Sequence, residues 1–268
     1  MEKSKISLHV QRFTSTNKVM MLHGFTGTYE SMQELSELLP YDCATPDLIG
    51  HGRSPCPTNH FPYRIKEIIK QLDGVAEEYL CKPFNIIGYS MGARIALSYA
   101  ADRQDSLQSV VLIGGTAGIE NDQDRHLRAV HDSGIAAKIE DHGLEHFVNF
   151  WEKRPIFASQ RLLSLEKQEK IRRIRLRHQT CGLANHLRLA GTGMMDSLWQ
   201  KLQDIEVPIL LIAGQKDQKY VEIAESMVSE LPNAEINIVV GAGHAVHYEK
   251  PEETAEIISQ FLRKTRTS

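Results

Sequence analysis

Phe84-Asn-Ile-Ile-Gly-Tyr-Ser-Met-Gly-Ala-Arg-Ile-Ala-Leu-Ser-Tyr-Ala100 is the stretch on which the fold turns. It opens on a short apolar run, Phe84 to Ile87, that reads as a buried strand. Gly88-Tyr89-Ser90-Met91-Gly92 follows and fits G-x-S-x-G. Ile95, Ala96 and Ala100 then recur at helical spacing. The five-residue pattern is weak by itself, but strand, tight turn and helix in immediate succession are the setting it needs. A serine on such a turn is strained, and its hydroxyl stands exposed at the end of the sheet. The flanking glycines leave the turn room, and the first N–H groups of the following helix aim at the same spot.

Outward from this stretch the chain alternates strand and helix. Ile6, Leu8 and Val10 alternate with polar residues, as a half-buried strand does. Strands are expected at 18–22, 84–88, 109–113, 208–213 and 235–240, and helices at 62–80, 91–101, 219–231 and 251–264. This order predicts an α/β class: a mostly parallel sheet with helices on both faces. Residues 118–203 break the alternation. They hold no convincing buried strand and read as helices over 123–139, 142–152, 160–177 and 182–190. The expected organisation is therefore a core of 1–117 and 204–268 with a helical cap, 118–203, inserted over the carboxyl edge of the sheet. The insert carries 14 basic and 11 acidic residues and the rest of the chain 17 and 23, a balance that suits an anionic substrate and equally an ordinary solvated cap.

Composition narrows the classes. The 268 residues carry 31 Lys and Arg against 34 Asp and Glu, a net charge of −3, which argues against nucleic acid as a partner. No apolar run approaches the ~18 residues of a membrane span. Met1 to Val10 carries two Lys and one Glu and no apolar centre, so it does not read as a signal peptide. Cys43, Cys56, Cys81 and Cys181 form no C-x-x-C pair and have no histidine at zinc-ligand spacing. Free thiols in a reducing cytoplasm are the expectation, with no metal site. Monomer and homodimer both stay open.

A serine hydroxyl becomes a useful base or nucleophile only when a histidine takes its proton. With a serine on this kind of turn the order is Ser, then acid, then His. Asp217 sits in the turn after Pro208-Ile-Leu-Leu-Ile-Ala213, whereas Asp204 precedes that strand and Asp196 lies in the insert. Gly241-Ala-Gly-His244 follows the last strand, and its small residues allow close approach; His247 is the alternative. Negative charge developing on a substrate oxygen needs N–H donors. The Met91 N–H is one expected donor, and the Phe25 N–H, in the turn after the strand ending at Leu22, is the other. His23 is assigned to shaping that turn, and Asp47 to Ser54 (DLIGHGRS) to a loop whose His and Arg hold it in place.

HGFTG at 23–27, DLIGHGRS at 47–54, GYSMG at 88–92, the Asp217 turn and the GAGH loop together resemble the α/β-hydrolase superfamily along the whole chain. Finer features resemble one branch of it, the 2-succinyl-6-hydroxy-2,4-cyclohexadiene-1-carboxylate (SHCHC) synthases of menaquinone biosynthesis. They are Arg94 in the turn–helix segment, Arg128 with Asp132, Phe150-Trp151 followed by Arg154-Pro-Ile-Phe157, Leu187 to Gly193 leading to Ser197-Leu-Trp199, and Gln215 to Tyr220 around the acid. That resemblance implies a cytoplasmic carbon–oxygen lyase that eliminates pyruvate from a small polycarboxylate, with no metal or organic cofactor. It also implies substrate contacts for Tyr89, Arg94, Arg128, Trp151 and Arg177. From the residues alone each has a plainer role open to it: Tyr89 can simply pack, Arg94 can pair with a carboxylate from its helix face, Arg128 lies four residues from both Asp124 and Asp132, Trp151 can pack the insert, and Arg177 follows Arg172, Arg173 and Arg175 in a run suited to solvent. Two other classes stay open: a carboxylesterase or C–C bond hydrolase using the same three residues, and a non-catalytic binding protein of the same fold.

Overall fold

The computed structural model describes residues 6–12 and 17–265. Met1–Lys5, half of the stretch that does not read as a signal peptide, lies outside them. Among the described residues a single sheet runs in the order β1-β3-β2-β4-β5-β6-β7. Its strands are β1 (Val10–Arg12), β2 (Asn17–Leu22), β3 (Cys43–Pro46), β4 (Leu80–Tyr89), β5 (Leu107–Ile113), β6 (Ile209–Gly214) and β7 (Ala234–Val239). Only β1 is antiparallel, pairing Val10 with Pro46 at the sheet edge. The alternation from Ile6 therefore overstated this strand: Leu8 is buried, but pairing begins at Val10, where β3 becomes available as its single neighbour.

The helices of the core are α1 (Tyr29–Leu38), α2 (Ile65–Tyr79), α3 (Met91–Arg103), α7 (Gln218–Glu230), α8 (Val246–Glu249) and α9 (Pro251–Thr265), with α4 (Asp122–Trp151), α5 (Leu165–Arg175) and α6 (Thr180–Ala190) between β5 and β6. The central strands are continuous apolar runs because both their faces are covered. Met20, Ile86, Val110 and Leu211 pack with Leu72 of α2, Ile95 of α3 and Met227 of α7. Met21, Ile87, Val111 and Ile212 pack on the other face with Leu35 of α1 and Ile258 of α9.

The helices between β5 and β6 have a small core of their own, in which Ile135, Ile139 and Phe147 of α4 meet Leu183 and Leu187 of α6. The expected gap between helices near residue 140 is instead a break at Gly143, whose φ of 80° and ψ of 173° are open to a residue without a Cβ. The expected helix over 160–177 begins late. Pro155–Leu162 is a 3-10 helix, and the Ser164 hydroxyl then accepts the Lys167 N–H to start α5.

The fold positions a site through its strand order. The chain lays β3 on one side of β2 and then crosses back to place β4 on the other. In open parallel sheets ligands bind outside the carboxyl ends of the strands at such a reversal. Leu22 pairs with Gly88, so the turns leaving β2 and β4 emerge side by side.

Candidate active site

Ser90 occupies the turn leaving β4 with φ of 51°, in the left-handed region that an L residue enters only under constraint. Three features supply the constraint. The Ser90 N–H donates to Ile113 O at 2.8 Å, the Arg94 N–H donates to Ser90 O at 3.1 Å, and glycines surround the turn. A Cβ on Gly88 would strike the Gly92 backbone, and one on Gly92 would lie 2.7 Å from His23 O. G-x-S-x-G is thus a packing requirement: the turn folds onto itself and onto the end of β2.

His244 lies in the loop after β7, with Nε2 2.9 Å from Ser90 Oγ and Nδ1 2.6 Å from Asp217 Oδ2. In that arrangement the Ser90 hydroxyl donates to Nε2 and Nδ1–H donates to the carboxylate. Asp217 arrives at the end of the turn leaving β6, just before α7. The two loops can touch because Gly214 carries no side chain: a Cβ there would lie 2.6 Å from Ala242 O. The Lys216 N–H also donates to Ala242 O at 2.8 Å. His247, the alternative to His244, is buried beside the Tyr89 ring at 4.3 Å, and neither of its ring nitrogens has a partner among the described residues. Burial lowers its pKa to about 3, so it stays neutral.

The Gly24-Phe25 turn sits beside Ser90, since a Cβ on Gly24 would come within 3.6 Å of Ser90 Cβ. His23 holds this turn. The Leu48 N–H donates to its Nε2 at 3.0 Å, so Nδ1 carries the proton and donates to Gly24 O at 2.8 Å. Burial lowers the His23 pKa to about 4. Thr26 follows with φ of 66°, an unusual conformation for a β-branched residue, and its carbonyl accepts from His178 Nε2 at 2.9 Å. His51 and His186 complete a buried seam. The His51 ring lies 5.1 Å from His23, 5.2 Å from His178 and 5.0 Å from His186. The DLIGHGRS loop is tied down by Asp47, which accepts the Tyr29 and Arg53 N–H groups at 2.8 and 2.9 Å.

Ser90 opens into a cavity of about 900 Å³ between the sheet edge and the inserted helices. Phe25, Met91, Tyr89, Arg94, Arg128 and Trp151 all line it. Arg94 is 9% exposed, and its Nη1 donates to Ala190 O at 3.0 Å. Among the described residues no carboxylate lies within ion-pair distance of it. Burial lowers its pKa to about 10, which still leaves it charged at neutral pH. Arg128 pairs with Asp132 at 2.8 Å, the helical neighbour the sequence offered, while still facing the cavity. Trp151 both lines the cavity and packs edge-on against Phe25 at 5.5 Å. Tyr89 is buried beside His244, and burial holds its hydroxyl protonated.

Arg177 does not reach the cavity. It lies past the end of α5, its side chain is 48% exposed, and it donates to Glu30 at 2.5 Å. Arg175 stands in the lining instead. It is buried on the α5 face that carries Ile171 and Ile174, with its guanidinium over the Phe157 ring at 4.9 Å and hydrogen-bonded to Gln160 at 3.1 Å. The spacing 171, 174, 175 was the available signal, since it puts Arg175 on the apolar stripe. The sequence marks Tyr220 only as part of the segment around the acid, whereas its ring lies 4.5 Å from His244, and it gives no sign of Glu249. Glu249 accepts the Gly243 N–H at 2.7 Å and the Ser159 hydroxyl at 2.8 Å, joining the His244 loop to the insert. No local signal marks Glu249, because both its partners are distant in sequence or set by the loop's path. Around the cavity Arg and Lys total six, against two Asp.

A family model described as alpha/beta hydrolase fold matches residues 17–251. A Bacillus subtilis protein named "Putative 2-succinyl-6-hydroxy-2,4-cyclohexadiene-1-carboxylate synthase" is 37% identical over 249 residues, 92% of this chain and 91% of the relative. The Salmonella typhimurium protein named 2-succinyl-6-hydroxy-2,4-cyclohexadiene-1-carboxylate synthase is 27% identical, over 96% of this chain and 99% of its own. A solved structure described as "Structure of MenH from S. aureus" superposes with a TM-score of 0.90 at 32% identity, covering 96% of this chain and 99% of that one.

Proposed function

This chain belongs to the α/β-hydrolase family, and from that premise we propose that it is a lyase eliminating pyruvate from 2-succinyl-5-enolpyruvyl-6-hydroxy-3-cyclohexene-1-carboxylate to give SHCHC. Fold and sequence likeness to proteins of that name support the reaction. The observation that carries the reading to the site is Arg94. A buried guanidinium with no carboxylate at ion-pair distance among the described residues, one helical turn beyond Ser90 and facing a large cavity, is costly unless a ligand anion completes it. An apolar acyl group does not supply that anion; a substrate with several carboxylates does. Arg128, paired with Asp132, Arg175, paired with Glu152, and Arg154 add positive charge around the cavity wall.

In this reading Asp217 fixes His244 in the tautomer that accepts from Ser90. Ser90, or His244 through it, removes the ring proton α to a carboxylate, and the proton passes to His244. The Phe25 and Met91 N–H groups stabilise the enolate-like charge that develops. The electron pair moves through the ring, the bond to the enolpyruvyl oxygen breaks, and the departing enolate takes up a proton and leaves as pyruvate. No acyl-enzyme forms. Tyr89 and Trp151 border the reacting ring, and the enzyme works in the cytoplasm on a small anion.

The test is pyruvate release from enzymatically generated substrate, coupled to lactate dehydrogenase, with absorbance followed for the conjugated diene. Release faster than the spontaneous elimination, abolished in Ser90→Ala, is expected. No acceleration, together with turnover of simple esters or C–C bond substrates, would replace the lyase by a hydrolase.

A further inference from the structure

We infer that Cys56 and Cys181 are an oxidative modification site, a thiol pair that a low-molecular-weight disulfide converts into a covalent link between the loop after β3 and the start of α6. The four thiols are free, and nothing in the sequence pairs them. The fold nonetheless brings Cys56 Sγ to 2.7 Å from Cys181 Sγ, across a separation of 125 residues. Bond formation needs an approach of under ~1 Å.

The backbones on either side are already locked together. A Cβ on Gly50 would lie 2.9 Å from Gly182 Cα, so the chain before Cys56 and the chain after Cys181 are in direct contact. Pro57 O accepts the Tyr63 hydroxyl at 3.1 Å and Asn185 Nδ2 at 3.5 Å, which holds the Cys56 loop against α6. Both cysteines are half-buried, within reach of a small oxidant. Cys43 is buried on β3, and Cys81 is exposed on β4 without a second thiol beside it among the described residues.

The chemistry balances as two exchanges. Burial and the neighbouring Cys181 thiol push Cys56 up to about 11. One thiol of the pair loses its proton to solvent, attacks the small disulfide, forms a mixed disulfide and expels one thiolate. The other thiol then loses its proton to solvent, its sulfur attacks the first Sγ, and the second thiolate leaves. Two protein thiols are oxidised, and one small disulfide is reduced to two thiols. Neither cysteine lines the large cavity, so the link fastens the insert to the core without entering the site. This inference is independent of the reaction assigned above.

The experiment treats the reduced full chain with oxidised glutathione. Cys56 and Cys181 should both be lost to thiol titration, with any glutathione retained confined to the exposed Cys81, and the joined peptides should weigh two hydrogens less than the two reduced ones. A non-reducing peptide map should join the Cys56 and Cys181 peptides, and Tm should rise by roughly 5–10 °C, because the closed loop is long. In Cys56→Ser the reaction should stop at one glutathione on Cys181. Turnover of the oxidised wild type should stay within about twofold of the reduced protein, as expected for a link between elements already packed. Four persisting thiols, a link through Cys43 or Cys81, unresolved glutathione on Cys56 or Cys181 of the wild type, or a lowered Tm would each overturn the assignment.

Discussion

At the carboxyl edge of the sheet the backbone places Ser90 and the loops that bring Asp217 and His244 to it. Ser90 is held by two main-chain hydrogen bonds, and Gly24, Gly88, Gly92 and Gly214 sit where any Cβ would collide. In the helices between β5 and β6 side chains place one another: Arg128 against Asp132, Arg172 and Arg175 against Glu152, and Arg188 against Glu140. The first arrangement tolerates little displacement. The second can be rearranged by rotating side chains, at low cost wherever the pairs are exposed. In the proposed reading, chemistry rests on the rigid edge, and recognition of the anion is shared between that edge, through Arg94, and the more adaptable insert.

The contrast can be broken at its rigid end first. Ser90→Ala should lower kcat by at least on the order of 10³-fold while KM moves less than about twofold. A comparable change in KM would place Ser90 in binding.

Acid should open the seam between the two regions, where His23 and His51 of the edge meet His178 and His186 of the insert. Burial lowers the pKa of His23 to about 4, that of His178 to about 4 and that of His186 to about 3. Each binds a proton more readily when unfolded, so its contribution is complete above about pH 6.5 and is lost as pH falls towards 4. For His23 alone this amounts to about 3 kcal/mol. Urea midpoints measured across that window should fall steeply, and His186→Phe should flatten the slope. An unchanged slope would remove His186 from the seam's acid response.

Arg94→Ala should raise KM by about 10–100-fold with a smaller change in kcat, as for a lost charge-assisted hydrogen bond. Lysine should restore only part, lacking the planar fork. An unchanged KM would end its binding role. Glu249→Gln weakens the tie between the Gly243 N–H and the Ser159 hydroxyl. The expected effect is a fall in kcat of about 3–10-fold at constant KM. If kcat held, the His244 loop would be positioned without the insert. Smallest of all, Arg177→Ala should leave kcat/KM within about twofold and stability within about 0.5 kcal/mol, since its pair with Glu30 is largely exposed. A large KM effect would return Arg177 to the site.

Most of the edge was legible because it is local. Strand, glycine turn and helix are contiguous around Ser90, and Asp217 and His244 each follow a recognisable strand. The insert was legible only as helix. Its helix starts shifted where Pro155 and Ser164 reset them, and the one-turn choice between Arg175 and Arg177 depended on where α5 ends.

The sequence by itself determined the sheet, the strained serine turn and the order of serine, acid and histidine, because periodicity and glycine placement act within a few residues. Tertiary structure alone decided which arginines face the cavity, that Glu249 ties the His244 loop to the insert, that four histidines meet neutral in one seam, and that Cys56 lies against Cys181. Those facts depend on which surfaces pack together across more than a hundred residues of chain. No local pattern encodes such packing, since the same side chain is a solvated cation, a paired cation or a waiting ligand group according only to what the fold sets beside it.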